Sequence, residues 1–238
     1  SGMIIHRFWD AEVAKLADAL GSGSSGSNPV GVRVPPSAYF SSIQMPTEKR
    51  VQRVESVLSQ RQSDLVVVLE NLRNTHNANA VLRTMDLFGV QHLYIINTMN
   101  EPFPINEAIT TGADRWLTLH PFFSVKACME ELTQRGFQIY ATSLTSDSVP
   151  VASMDYCGKR AIVFGNEKLG VSEEILRWTH KNISIPMKGM VRSFNLSVSV
   201  ALILYEALRQ REEKNYQGGL PVEEKEELRR RWLHSASR

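Results

Sequence analysis

Apolar and polar positions change period several times along the chain. After Thr47, apolar Val51, Val54, Val57 and Leu58 recur at helical spacing, while Lys49, Arg50, Arg53 and Arg61 fall elsewhere. This predicts a helix with one buried and one positive face. A positive face is either merely solvated or an anion surface, and the pattern leaves both open. Residues 65–69 form an unbroken Val-rich run, the mark of a strand buried on both sides. Residues 77–88 return to helical spacing, with Gly89 placed as a left-handed residue beyond the end. A second strand is predicted at 93–96, then a helix at 123–135 stopped by Gly136, a third strand at 137–141 and a fourth at 161–164. A short helix at 172–178, a fifth strand at 183–185 and an apolar helix at 195–210 follow. That last helix is apolar on nearly every side, which predicts burial all round. The alternation predicts an α/β fold, a mainly parallel sheet with helices on both faces. In such sheets ligands bind beyond the carboxyl ends of the strands.

Composition narrows the class. Hydrophobic residues make up 42% and charged residues 22%, as in globular rather than disordered chains. No apolar run reaches the ~20 residues of a membrane span, and no secretory signal opens the chain. A cytoplasmic location with no membrane association is the expectation. Cys128 and Cys157 lie far apart without metal-ligand spacing, so free thiols are expected. The six histidines include no pair at ligand spacing, and no metal is expected. A net charge of +2 is too small to mark a nucleic-acid binder by itself.

Residues 1–44 have neither period. Ser1 and Gly2 read as an expression scar, residues 21–27 are almost wholly Gly and Ser, and residues 28–37 are rich in Val and Pro. Residues 9–38 resemble a leucine tRNA gene read as coding sequence: Val32-Arg33-Val34 can be encoded by the T-arm consensus GTT-CGA-GTC. The functional start would then be Met45; the other reading is a genuine N-terminal arm. The domain is expected at 45–210, followed by a charged helical tail at 211–238. In that tail Arg229, Arg230 and Arg231 precede Trp232, either a phosphate clamp beside a stacking ring or a solvated helix end.

Three loops at the carboxyl ends of predicted strands stand out. The first runs from Glu70 to Asn77 and leads into a helix carrying Arg83 among small apolar residues. Asn77 suits a helix cap, and Arg83 suits either an ion pair or an anion ligand. The second, Gly165-Asn166-Glu167-Lys168-Leu169-Gly170, brackets a polar turn with glycines that let backbone approach closely. It fits neither a P-loop nor the dinucleotide-binding glycine fingerprint, which speaks against a Rossmann-like dehydrogenase. The third runs from Ile185-Pro186-Met187 to Ser193-Phe194-Asn195-Leu196-Ser197 and opens the apolar helix with a polar cluster. That cluster is either an elaborate cap or the floor of a ligand pocket.

In order and placement these segments resemble the SPOUT methyltransferases, in the TrmH (SpoU) branch. The matching residues are Asn77 with Arg83, Gly165-Asn166-Glu167 with Gly170, and Ile185-Pro186-Met187 with Ser193, Asn195 and Ser197, over residues 45–210. The resemblance implies a C-terminal trefoil knot in the sheet and a homodimer whose sites draw on both subunits. It implies S-adenosylmethionine as cofactor, held by Thr142, Gly165, Ile185, Met190 and Phe194. Many relatives carry Leu where this chain has Phe194. It implies methylation of a ribose 2′-hydroxyl of tRNA, at guanosine 18 of the D-loop, with Arg83, Asn77, Glu167, Ser193 and Asn195 as catalytic residues. A guanidinium is a poor base, so Arg83 is expected to bind a phosphate and position the 2′-oxygen. Lys49, Arg50, Arg53, Arg61 and Arg230 would contact RNA. The competing readings are the same chemistry on ribosomal RNA and an RNA-binding module without catalysis.

Overall fold

The computed structural model describes residues 46–98 and 113–234; the extension at 1–44 and the start expected at Met45 lie outside them. The first helix, α1 (Glu48–Leu58), is capped by Thr47, whose hydroxyl accepts from the Arg50 amide at 3.3 Å. It leads into β1 (Gln62–Glu70), α2 (Thr75–Leu87), β2 (Val90–Ile96) and β3 (Thr118–Phe122). Next come α3 (Val125–Gln134), β4 (Gln138–Thr142), β5 (Val149–Pro150), β6 (Arg160–Phe164), α4 (Glu173–Leu176) and β7 (Lys181–Ser184). Two longer helices, α5 (Leu196–Glu213) and α6 (Val222–His234), complete the described chain.

The strands form one sheet in the order β3-β2-β1-β6-β4-β7-β5, with every pairing parallel. Val67 of β1 is in register with Leu93 of β2 and Ile162 of β6. Alternate residues of β1 supply opposite faces, as the two-residue period requires. Leu65, Val67 and Leu69 pack with Val81, Leu82 and Met85 of α2 and with Val200, Ile203 and Leu204 of α5. Val66 and Val68 pack with Cys128, Met129 and Leu132 of α3 and Ile175 of α4. The expected helix-covered parallel sheet is therefore present. Gly89 closes α2 at φ +71, and a Cβ there would stand 2.7 Å from the Gln60 carbonyl oxygen.

Two strands were not predicted. β3 contains His120 and Pro121, which break an apolar run; proline is tolerated because β3 pairs only with β2, at the sheet edge. The two-residue β5 occupies the other edge.

The C-terminal segment, expected as a charged helical tail, does contain a helix, and part of it is packed into the core. The boundary expected after Gln210 falls inside α5, which continues to Glu213. Arg211 is buried: it donates to the Tyr156 and Gly158 carbonyls at 2.9 Å, to Gln62 at 2.6 Å and to Asp64 at 2.7 Å. Leu228 and Trp232 of α6 pack with Val54 and Leu58 of α1. Trp232 meets Trp116 edge-on at 5.5 Å and carries the Arg61 guanidinium over its ring at 5.1 Å. It is a core residue, not a stacking ring for RNA. Arg61 is 1% exposed and paired with Asp86, so it too is withdrawn from RNA. Arg50 donates to the Trp232 carbonyl at 2.8 Å, whereas Lys49, Arg53 and Arg230 are exposed.

A polar network also fastens α6 to the sheet. Glu224 lies 3.0 Å from His92 Nε2, and His92 Nδ1 lies 3.0 Å from His120 Nε2. His120 stacks on Tyr94 at 4.4 Å. Burial, His92 and then Arg135 bring the His120 imidazole down to about 4.

The helix α5 departs from expectation in one more way. It buries Val200, Ile203, Leu204 and Ala207 but exposes Val198, Leu202 and Tyr205. Those three repeat at i, i+4 and i+7 and so line one face. Among the described residues, no helix is long and apolar enough to cross a membrane, and no group of three His, Cys, Asp or Glu could hold a metal ion.

Candidate active site

The loops after β1, β6 and β7 converge at the carboxyl edge of the sheet through side-chain amides and one carboxylate. Asn74, not Asn77, caps α2: its Oδ1 accepts from the His76 amide at 2.9 Å and the Asn77 amide at 3.2 Å. Asn77 therefore lies within the first turn, buried, with its own side chain free to bridge. Its Nδ2 donates to Glu167 Oε1 at 3.0 Å, and its Oδ1 accepts from Asn195 Nδ2 at 3.1 Å. Glu167 also accepts from the amides of Asn74 at 3.3 Å and Arg73 at 3.5 Å. Asn195 completes the chain: its Oδ1 accepts from Ser197 N at 2.9 Å and Ser197 Oγ at 2.7 Å. The polar opening of α5 is thus both a cap and part of the cluster.

A second tie runs alongside. Asn166 donates to the Asn71 carbonyl at 2.7 Å and accepts from the amides of Lys168 and Leu169. Asn71 holds a left-handed φ of 50° and is fixed to Thr98, whose amide donates to it at 2.9 Å. The loop after β6 doubles back so tightly that a Cβ at Gly165 would lie 2.1 Å from the Gly170 carbonyl carbon. Glu70, buried at the end of β1, accepts from the Ser172 amide at 2.8 Å.

The structure thus brings Asn77, Glu167 and Asn195 together. It does not bring in Arg83 or Ser193. Arg83 is exposed on α2, six residues beyond Asn77 and therefore about 120° around the helix, with no partner among the described residues. Ser193 is exposed in the loop before α5. Asn71, Asn74, Asn166 and Glu70 belong to the cluster although none was a predicted site residue. Their signal was positional: Glu70, Asn71 and Asn166 lie at or just beyond strand ends and Asn74 at a helix start, where side chains must satisfy loop amides.

Of the residues expected to hold a cofactor, Thr142, Gly165 and Ile185 lie at strand ends, and Met190 and Phe194 lie in the loop between β7 and α5. Thr142 closes β4 and donates to the Val163 carbonyl at 3.1 Å. Ile185 packs partly against the core, Met190 is 98% exposed and Phe194 42% exposed. Across the described residues, Pro186 to Phe194 form no backbone hydrogen bond to other backbone groups. Beside them, the β4–β5 loop is closed by Ser148, which donates to the Ser143 carbonyl at 2.7 Å. Hydrogen bonds from Thr145 and Asn182 hold the Asp147 carboxyl below its usual range. Open backbone beside exposed apolar side chains fits a ligand with an apolar ring system and several polar edges.

The SpoU rRNA Methylase family matches residues 64–205. The chain is 41% identical to a tRNA (guanosine(18)-2′-O)-methyltransferase of Aquifex aeolicus over 189 residues, covering 79% of this chain and 90% of that protein. It is 43% identical to a protein of the same name from Thermus thermophilus, covering 69% of this chain and 84% of that one. A crystal structure of the A. aeolicus TrmH/SpoU tRNA modifying enzyme superposes with a TM-score of 0.71 at 41% identity, covering 78% of this chain and 95% of that one.

Proposed function

We infer the reaction from one premise: the chain belongs to the SpoU rRNA Methylase family. The protein transfers a methyl group from S-adenosylmethionine to a ribose 2′-hydroxyl of tRNA, that of guanosine 18. One observation carries the choice of tRNA over ribosomal RNA. The chain is 41% identical over 189 residues to the Aquifex guanosine-18 enzyme, against 27% over 151 residues to a 23S rRNA (guanosine-2′-O-)-methyltransferase of Pseudomonas putida.

The cofactor fits the site on the structure's own terms. Backbone between Pro186 and Phe194, unpaired with other backbone among the described residues, supplies donors and acceptors, and Ile185, Met190 and Phe194 supply apolar surface. When bound, S-adenosylmethionine supplies an electrophilic methyl carbon. Thr142, held against Val163, and the tight turn at Gly165 shape the opposite wall. The trefoil knot of the family belongs to this reading.

The chain's own residues align the hydroxyl oxygen. Arg83, exposed and without a partner among the described residues, forks onto a phosphate beside the target ribose, where its five donors suit a planar bidentate contact. Glu167, Asn77 and Asn195 hold the loops in place; they position rather than react, because their polar atoms already bond one another. Ser193, exposed beside Asn195, faces the incoming nucleotide. A second copy of the chain covers the exposed Val198, Leu202 and Tyr205 face of α5, giving a homodimer. Lys49, Arg53 and Arg230 extend the RNA contact. The work is done in the cytoplasm.

The test is methyl transfer from labelled S-adenosylmethionine to unmodified tRNA transcripts, with the modified nucleotide mapped. Label at a D-loop guanosine 2′-oxygen is the expected result. Label on ribosomal RNA fragments alone overturns the tRNA reading.

A further inference from the structure

Two cations in the loop between β7 and α5 are not used to hold the described fold. Lys188 and Arg192 are exposed, and neither forms a hydrogen bond or ion pair with a described residue. They bracket Gly189, Met190 and Val191, whose two apolar side chains are 98% and 74% exposed. Arg192 directly precedes Ser193, two residues before Asn195 of the hydrogen-bonded cluster. No acidic residue lies between Ile185 and Asn195. The carboxylates of the two neighbouring loops are engaged: Glu167 by three donors and Glu70 by the Ser172 amide inside the core. Asp147 on the β4–β5 loop is held by Asn182.

An exposed lysine and arginine are ordinarily just solvated. Here their charge stands on the segment that carries the cofactor-facing and nucleotide-facing residues, with no counter-charge on that segment. A polyanion meeting Ser193 must bring its backbone past these two side chains. We propose that Lys188 and Arg192 are positioning residues that hold the RNA phosphates on either side of the target ribose. This rests on the reading above, that the site methylates RNA. It separates two cationic tasks: Arg83 aligns the reacting oxygen, whereas Lys188 and Arg192 fix where the strand lies. Phosphate contacts set register and carry no sequence information, so their loss weakens docking without changing which nucleotide reacts.

The experiment uses the full chain and its Lys188→Gln, Arg192→Gln and double variants. Steady-state methyl transfer to an unmodified tRNA transcript is measured across a series of KCl concentrations, and S-adenosylmethionine affinity is measured separately by calorimetry. The expected result is a KM for tRNA raised roughly 3- to 10-fold by each substitution, with kcat and cofactor affinity unchanged. The slope of log KM against log salt falls by about 0.7 for each contact removed from a single-stranded loop, because fewer counterions are released. A structural role for the loop does not move that slope. Arg192→Lys retains the slope. An unchanged KM and slope in the double variant overturns the proposal, as does loss of cofactor affinity in the single variants. A wild-type protein that methylates no RNA overturns the underlying reading instead, and that failure shows before any variant is made.

Discussion

Asn195 donates from its side-chain amide to the side-chain oxygen of Asn77 at 3.1 Å, joining the start of α5 to the first turn of α2. These residues are far apart in sequence, and the bond fixes both amides: Asn77 can then only donate to Glu167. The loop before α5, the loop after β6 and the helix bearing Arg83 are therefore tied together by hydrogen bonds. A disturbance at any of the three is transmitted to the others through part-buried hydrogen bonds, whose polar groups are costly to leave unpaired.

Replacing Asn77 with Asp turns its donor into a second carboxylate facing Glu167. Methyl-transfer kcat is expected to fall about 100-fold or more, the scale set by misplacing reacting groups. Unfolding stability should fall by about 1–3 kcal/mol from the lost bonds. Single-turnover kinetics and urea titration check both, and an unchanged kcat contradicts a positioning role for Asn77.

Arg83→Lys keeps the charge but loses the fork. Because Arg83 is exposed and bonds no described residue, the melting temperature and cofactor affinity should not move, while kcat drops roughly 100-fold. Near-full activity removes the need for a forked phosphate contact.

Leu202→Asp places a charge in the middle of the exposed apolar face of α5. Sedimentation velocity should show the wild-type chain as a dimer and this variant as a monomer without activity. A monomeric wild-type protein ends the dimer reading.

His120 titrates near 4 in the folded protein because burial, His92 and Arg135 disfavour its cation, whereas the unfolded chain binds that proton near 6.5. Between those values the unfolded state holds more protons, so stability falls as pH drops from about 6.5 towards 4. The melting temperature of the wild type should therefore fall more steeply with decreasing pH in that window than that of His120→Asn. Parallel slopes for the two proteins refute the assignment.

Much of the fold was legible because β1 and its neighbours are continuous apolar runs, which only a doubly covered sheet accommodates. β3 escaped because His120 and Pro121 interrupt it; the histidine is spent on His92 and the proline is permitted by the edge. Trp232 was misread because three arginines precede it. The counter-signal was present: Leu228 and Trp232, four apart, answer Val54 and Leu58, also four apart, and make a helix pair. Arg61 followed the same error, since a charge can be buried when Asp86 and an indole face receive it.

The site was legible as an ordered set of motifs but not as contacts. Position alone suited Asn77 to a cap, yet Asn74 three residues earlier meets that requirement and leaves the Asn77 side chain to bridge. The apolar composition of α5 implied full burial; the single chain leaves one face open, and composition does not tell a core face from an exposed one.

The central claim is methylation of one particular hydroxyl. Two tRNA transcripts identical except for a 2′-deoxyguanosine at position 18 are incubated with the protein and labelled S-adenosylmethionine. The expected result is stoichiometric labelling of the all-ribose transcript and none of the deoxy one, although both bind equally. Equal labelling of the two contradicts guanosine 18 as the target, and labelling of neither contradicts tRNA methylation itself.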